Sequence, residues 1–239
     1  MKFRVKKFLV VVRRNKFKIG LLLLIPFIVA ISFVRIMDRT EKRRRDKIEY
    51  LVVHWTANPS PGADAVANAK YLRNKEGAGA HYCIDDKQIV QCTDEENVAY
   101  SVGGPKWFGF VPKFWLKDRI KNNNSLSFEM CLGGDRNDSI IIDQTAQLIG
   151  HRLVRYGLDM SRVVRHYDVV GKPCPMFAYK NGKWDRRTED SCFLVFKGIV
   201  NYYYNVNLLR KTIWKDTGQW IDTLPPNIGK SVASFRVGR

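Results

Sequence analysis

Short apolar stretches alternate along this chain with segments whose apolar residues recur every three or four positions. The apolar, β-branched stretches indicate buried strands, and the recurring pattern indicates amphipathic helices. Residues 49–54 (EYLVVH) and 126–132 (LSFEMCL) are two of the strand-like stretches. Strands that alternate with helices are typical of an α/β domain. We therefore predict a single mixed β-sheet flanked by helices.

Residues that start and stop regular structure place the other elements. Asp64 is positioned to cap a helix over residues 65–74, and a second amphipathic helix is predicted from Ile140 to Tyr156. The further predictions are a hairpin of residues 80–84 and 88–92, a short extended segment at 163–166, an insertion rich in aromatic residues and lysine at 104–124, and a last packing helix at 193–208.

Residues 19–34 (IGLLLLIPFIVAISFV) contain no charged side chain. As a helix they would reach about 24 Å, slightly less than the roughly 30 Å hydrocarbon core of a membrane. We predict a transmembrane signal anchor over residues 19–37. The alternatives are a cleaved signal peptide, which the triplet Ala30-Ile31-Ser32 would suit, and a buried core helix. Basic residues flank both sides of the segment, so its orientation stays open.

The net charge of +18 is concentrated at the two ends of the chain. Residues 1–47 hold 15 Lys and Arg against 3 acidic residues, residues 180–239 hold 11 against 5, and residues 48–179 are balanced. A nucleic-acid-binding fold would carry basic charge on the domain itself, so no nucleic-acid partner is predicted. Basic ends suit anionic lipid or wall polymers. The predicted segments are 1–18 (basic), 19–37 (membrane or signal), 38–47 (basic linker), 48–205 (main domain) and 206–239 (extension of unknown role).

The segment RHYDVVGKPCP, residues 165–175, is the strongest candidate for a metal site. It places His166 and Cys174 eight residues apart, across a glycine-containing turn with two prolines, so that both side chains can converge on one ion. Zinc binds imidazole and thiolate together, usually in tetrahedral geometry. His54, which ends a buried strand, is the candidate third ligand. Taken singly, each residue is also compatible with a structural role, and most of the other cysteines are predicted to be small buried residues.

Four segments together carry a resemblance to a known family: YLVVHWTAN, GAHYCIDDKQIVQ, SLSFEMCLGG and RHYDVVGKPCP. They resemble the type-2 N-acetylmuramoyl-L-alanine amidases, which include phage endolysins, bacterial autolysins and the animal peptidoglycan recognition proteins. The resemblance covers about residues 48–200. It implies the same fold, peptidoglycan as the substrate, and Zn²⁺ bound by His54, His166 and Cys174. Among peptidoglycan recognition proteins, loss of this cysteine accompanies binding without cleavage, so the presence of Cys174 indicates an enzyme.

The resemblance also implies two catalytic residues. Glu129 matches a strand glutamate of the family and is the predicted general base, and Lys172 matches a lysine that stabilises an oxyanion. The alternative for each is an ordinary solvated side chain. Other members carry a helper tyrosine where this chain has Ala80, so we expect a stronger dependence on Glu129 and Lys172.

These features predict a zinc-dependent amidase that hydrolyses the bond between N-acetylmuramic acid and L-alanine. The alternative is a non-catalytic, membrane-tethered peptidoglycan-binding protein of the same fold. The chain is expected to be membrane-anchored through residues 19–37 or exported, with its catalytic domain facing the cell wall. A phage lysis enzyme and a cellular wall-remodelling enzyme are both compatible with the sequence.

Overall fold

A computed structural model describes residues 32–35, 42–103, 116, 119–177, 179–180 and 183–217. The strands are β1 (Ser32–Arg35), β2 (Lys42–Arg43), β3 (Tyr50–Trp55), β4 (Tyr82–Ile84), β5 (Gln88–Gln91), β6 (Asn97–Val98), β7 (Ser125–Met130), β8 (Val163–Arg165), β9 (Tyr179–Lys180) and β10 (Lys183–Trp184). The helices are α1 (Ala65–Asn74), α2 (Asp138–Tyr156), α3 (His166–Val170) and α4 (Arg186–Thr217).

The central sheet has six strands in the order β1-β5-β4-β7-β3-β8. Its pairs are parallel except for β4 and β5, which form the predicted antiparallel hairpin. The prediction of a mixed sheet is therefore confirmed. Because β7, β3 and β8 are neighbouring parallel strands, their carboxyl ends lie at the same edge of the sheet, and side chains at those ends can meet.

Helices cover both faces of the sheet, as the sequence predicts. One face packs against α2 and α4 and forms the main core, in which Leu51, Val53, Phe128 and Phe196 are buried. The other face packs against α1 through small residues and cysteines, and against the α3 region through valines. Cys83, Cys92 and Cys131 belong to the α1 contact, which confirms their prediction as small buried residues. Alternation along β3 places His54 on the α1 and α3 side of the sheet.

The predicted helix boundaries are close to the observed ones. The Asp64 carboxylate accepts a hydrogen bond from the Ala67 backbone N–H, so Asp64 caps α1 as predicted. Helix α2 begins at Asp138, two residues before the predicted start, because the Asn137 side chain caps it by accepting from the backbone N–H of Ile140.

Gly150 allows α2 and α4 to approach closely. A Cβ added at Gly150 would lie 2.8 Å from the Cβ of Tyr203 and 2.9 Å from the backbone nitrogen of Tyr204. We expect Gly150→Ala to lower the free energy of unfolding by about 1–2 kcal/mol, because overpacking outweighs the roughly 1 kcal/mol by which alanine favours a helix. Denaturant unfolding measures this change. Gly198→Ala on α4 is the matched control, because nothing lies within 4 Å of its added Cβ and stability should not fall.

The predicted membrane or signal helix over residues 19–37 is not supported. Residues 19–31 and 36–37 of this segment lie outside the described part of the chain, but Ser32–Arg35 form strand β1, which pairs in parallel with β5. This pairing covers the backbone groups that β5 would otherwise leave open at the sheet edge. Across the described ranges, we find no helix with the length and apolar character that a membrane crossing requires.

The predicted basic linker, residues 38–47, is partly built into the domain. Strand β2 pairs with β6, and the guanidinium of Arg44 donates to the backbone carbonyl oxygens of Glu95, Asn122, Asn123, Asn97 and Ser125. It also contacts Nε2 of His81 at 3.0 Å. Hydrogen bonds to a charged group each contribute about 1.5–3 kcal/mol, so Arg44 is a substantial structural residue rather than a solvated charge.

Two other predicted boundaries differ from the structure. Most of the insertion at 104–124 lies outside the described residues, but Leu116 and Ile120 are buried beside Tyr50 and Val170, so its end packs against the domain. Helix α4 replaces the predicted helix at 193–208 and is longer at both ends. The predicted domain boundary between residues 205 and 206 therefore falls inside a continuous helix.

Candidate active site

The five residues singled out from the sequence lie in β3, in β7, and in the segment that follows β8. His54 lies near the end of β3, and Glu129 lies beside it in β7, where the two residues are register partners. His166 follows β8 directly and begins α3, and Lys172 and Cys174 lie in the loop after α3. The shared carboxyl edge of β7, β3 and β8 explains why residues so distant in sequence meet.

His54, His166 and Cys174 form a compact buried group. Their side-chain nitrogen and sulfur atoms lie within 4.8 Å of one another. The three residues are 2%, 4% and 3% exposed, respectively. The His54 and His166 ring centroids are 4.7 Å apart, and Sγ of Cys174 lies 4.0 Å from Nδ1 of His54. The structure therefore brings together the three residues that the sequence proposed as metal ligands.

The chemistry of this group fits a zinc ion. Two imidazoles and one thiol are a zinc ligand set that leaves a fourth tetrahedral position open. Nε2 of His54 and Oε2 of Glu129 are buried and have no hydrogen-bond partner among the described residues. Buried polar atoms are normally satisfied, so unpartnered atoms beside a group of ligand-type side chains indicate a place for an additional bound species.

Both histidines are held in the neutral form that binds metals. Burial lowers the pKa of His54 well below its usual value, and the positive character of His166 and Lys172 acts in the same direction. Burial lowers the pKa of His166 to about 4, and the charge of Lys172 acts in the same direction. Each imidazole therefore keeps a free electron pair at neutral pH.

The thiol of Cys174 is protonated unless a cation is near. Burial raises its pKa, the negative charge of Glu129 acts in the same direction, and a hydrogen bond from the Trp55 backbone N–H opposes both. That bond joins the Trp55 nitrogen to Sγ at 3.3 Å and holds the sulfur at the end of β3. A bound divalent cation would favour the thiolate, because metal ligation deprotonates a coordinating thiol.

Glu129 faces the same group of ligand-type side chains. Its Oε1 lies 3.8 Å from Nδ1 of His54, and its side chain is 16% exposed. This burial does not match the alternative in which Glu129 is an ordinary solvated strand residue. Burial raises the pKa of Glu129 to about 7, and the positive charge of Lys172 acts against this rise. A carboxyl group with a pKa near neutral is suited to exchange protons during a reaction.

Lys172 contributes positive charge to the whole group. Its charge lowers the pKa of Glu129 and Cys174 and that of both histidines. Its side chain is half-buried. The position is therefore compatible with stabilising a negative charge that develops beside the ligands.

Two residues that the sequence did not single out hold the 166–174 segment. The Asp168 carboxylate accepts hydrogen bonds from the backbone N–H and the guanidinium of Arg165. These bonds fix the start of α3 at the residue before His166. The same guanidinium donates to Asp190 of α4 at 2.8 Å. Neither residue gives the usual sequence signal of a helix start, because that signature places a short polar residue at the N-cap and this chain has Arg165 there.

The two remaining histidines do not join the ligand group. His81 is buried and lies between Arg44 and Ser127, with Nδ1 3.1 Å from the Ser127 hydroxyl. Its role is to pack and to hydrogen-bond within the sheet. His151 lies on α2 and contacts Arg152. Ala80, at the position where other members of the resembled family carry a helper tyrosine, is buried.

A sequence model described as N-acetylmuramoyl-L-alanine amidase matches residues 44–185 of this chain. The N-acetylmuramoyl-L-alanine amidase CwlL of Bacillus licheniformis is 33% identical over 135 residues, which cover 54% of this chain and 36% of that protein. The amidase CwlA of Bacillus subtilis is 30% identical over 145 residues, covering 58% of this chain and 47% of that protein. The chain thus spans less than half the length of these relatives.

Solved structures share the fold. A mutant endolysin from Bacillus subtilis superposes with a TM-score of 0.55 at 23% identity, covering 71% of this chain and 99% of that one. The hydrolase AmiA of Staphylococcus aureus, solved with its ligand, gives a TM-score of 0.55 at 16% identity and covers 74% and 85% of the two chains. At these identities the likeness establishes the architecture.

Proposed function

Since the chain belongs to the N-acetylmuramoyl-L-alanine amidase family, we propose that it hydrolyses the amide bond between N-acetylmuramic acid and L-alanine in bacterial peptidoglycan. The observation that carries the proposal is the buried group of His54, His166 and Cys174 with Glu129 beside it. The group supplies a metal-binding set and a proton acceptor at one place, which metal-assisted hydrolysis of an amide requires.

The three ligand-type side chains would hold zinc. When bound, zinc supplies Lewis acidity, which polarises a carbonyl and lowers the pKa of water. The neutral imidazoles of His54 and His166 present their electron pairs, and Cys174 releases its proton on binding. Low exposure of all three keeps bulk water away and strengthens electrostatic interactions in the site.

Glu129 and Lys172 act on the reacting atoms. Glu129 accepts a proton from the attacking water, whose oxygen bonds to the amide carbon, and passes that proton to the nitrogen of L-alanine as the C–N bond breaks. The Lys172 ammonium stabilises the negative charge on the carbonyl oxygen in between. The products are the lactyl carboxylate of muramic acid and a peptide with a free amino terminus.

The decisive test is mass spectrometry of purified cell wall after digestion by the full chain. We expect new free amino groups on L-alanine with intact glycan strands, and about one zinc per chain by elemental analysis. New reducing sugar ends would contradict amidase action. Bound zinc without release of peptide would instead favour the non-catalytic peptidoglycan-binding protein. The full chain is needed because Arg44 belongs to the fold.

We also propose that the chain acts at the outer side of a membrane, because its substrate is there and because residues 19–31 are apolar and uncharged. The basic residues before and after this segment suit contact with anionic lipid or wall polymer. Cell fractionation with an antibody to the catalytic domain tests the location. Recovery in the cytosol alone would contradict it.

A further inference from the structure

Two chain segments leave the candidate active site side by side. Residues 57–60, called here the rim loop, follow β3 and His54, and residues 131–134 follow β7 and Glu129. The Thr56 backbone N–H donates to the Met130 carbonyl at 3.1 Å, which extends the strand pairing to the start of the rim loop. A Cβ added at Gly134 would lie 2.4 Å from the Pro59 carbonyl oxygen, so the two segments touch.

Arg136 joins these two segments. Its guanidinium donates to the carbonyl oxygens of Cys131 at 2.6 Å and Leu132 at 3.4 Å on the β7 side. It also donates to those of Asn58 at 3.1 Å and Ser60 at 3.2 Å in the rim loop. One side chain therefore connects the segment after the proposed base to the segment after a proposed metal ligand.

The geometry depends on a guanidinium. Its donors lie in a planar fork that can serve several acceptors at once, whereas a lysine ammonium is a single point of charge. Among the described residues, no carboxylate forms a salt bridge with Arg136, so its bonding is directed to backbone carbonyls. Arg136 thus acts through the loop that it holds.

The rim loop is held in a conformation that it would not adopt freely. Ala57 has a φ of +57°, in the left-handed region that non-glycine residues rarely occupy. Such conformations cost on the order of 1 kcal/mol, persist only where neighbouring structure imposes them, and concentrate at functional sites. Residues 57–60 are nonetheless exposed, so the restraint does not serve to bury them. A loop that is both restrained and exposed beside a site is available to contact a substrate.

We propose that Arg136 is a positioning residue that holds the rim loop as a fixed wall of the substrate groove, on which the glycan part of peptidoglycan lies. The exposed side chains of the loop, Asn58, Pro59 and Ser60, carry no charge. They suit the hydroxyl and acetamido groups of a neutral glycan better than the carboxylates of a stem peptide. The inference rests on the proposed function. It adds Arg136 as a positioning residue and the glycan as the part of the substrate that the rim loop contacts.

The test is steady-state hydrolysis of a soluble disaccharide muropeptide by the full chain and its Arg136→Ala variant. We expect KM to rise about tenfold, with kcat changed less than about twofold and zinc content unchanged, because the variant loses a binding wall but keeps the ligands and the base. Glycan strands without peptide, used as competitive inhibitors, should lose affinity by the same factor. Arg136→Lys should show most of the defect, because charge alone cannot bridge both segments.

Arg155→Ala is the matched control, since this arginine is 58% exposed on α2 and should leave KM and kcat unchanged. An unchanged KM in Arg136→Ala, a full return of KM in Arg136→Lys, or an unchanged inhibitor affinity would overturn the inference. Retained kcat and a cooperative thermal transition show that the variant is folded. If the wild-type chain released no peptide, the proposed function itself would be wrong. Failure of the proposed function can therefore be distinguished from failure of the inference about Arg136.

Discussion

Cys174→Ala is expected to abolish hydrolysis of peptidoglycan and to reduce bound zinc from about one per chain to nearly none. The thiol is one of only three ligand-type side chains in the buried group, and no other cysteine is part of that group within the described ranges. Two neutral imidazoles alone bind zinc weakly compared with a set that includes a thiolate. Elemental analysis of the purified variant and peptide release from cell wall measure the two effects.

The matched control for this variant is Cys92→Ala. Cys92 is also buried, but it packs against α1 with Cys83 and does not belong to the ligand group. It should keep full zinc content and activity, with a modest loss of stability. If Cys174→Ala kept both zinc and activity, the assignment of the metal ligands would be wrong. Added zinc should raise the melting temperature of the wild type and leave that of Cys174→Ala unchanged.

Glu129→Gln is expected to lower kcat by about 10²- to 10⁴-fold while zinc content and fold are retained. Glutamine has nearly the same shape as glutamate but cannot accept a proton from water. The effect on kcat should be large in this chain because Ala80 stands where other members have a tyrosine, so no phenol at that position can assist catalysis. Peptide release under saturating substrate gives kcat, and elemental analysis gives the zinc content.

Glu76→Gln, an exposed acid outside the site, is the control for the charge change and should leave kcat unaltered. Activity retained in Glu129→Gln would place the base elsewhere. Loss of zinc together with activity would mean that Glu129 binds the metal instead of accepting a proton. This outcome has to be tested because Oε1 of Glu129 lies 3.8 Å from Nδ1 of His54, one of the proposed ligands.

Much of the catalytic domain could be predicted because its signals are local. The strand that carries His54, the helix capped by Asp64 and the hairpin around residue 86 each depend on neighbouring residues, which the sequence displays directly. The alternation of side chains along a strand also predicts that Glu129 lies on the other face of the sheet from Phe128 and Met130. The pairing of His54 with Glu129, by contrast, depends on the register of two distant strands, and nothing local in the sequence specifies it.

The arginines show where sequence reasoning fails. Arg44 lies in a run of basic residues, a pattern that predicts a solvated linker. Arg136 lies in a short polar segment, a pattern that predicts an ordinary turn. Arg44 donates to backbone carbonyls from remote parts of the chain, and Arg136 joins two nearby carbonyls to two remote ones in the rim loop. Every residue type carries such a carbonyl. An acceptor that leaves no mark in the sequence cannot be predicted from it.

The placement of Arg44 has a consequence for maturation of the chain. Removal of an N-terminal leader at the triplet Ala30-Ile31-Ser32 would leave Arg44 in the product, with its five carbonyl partners satisfied. A cut after Arg45, within the same basic run, would remove that guanidinium and leave its five carbonyl acceptors without this donor. Trypsin-like proteases cut after arginine, so we expect a cut at this point to destabilise the domain, whereas a cut after Ser32, thirteen residues earlier, would keep Arg44 in the product.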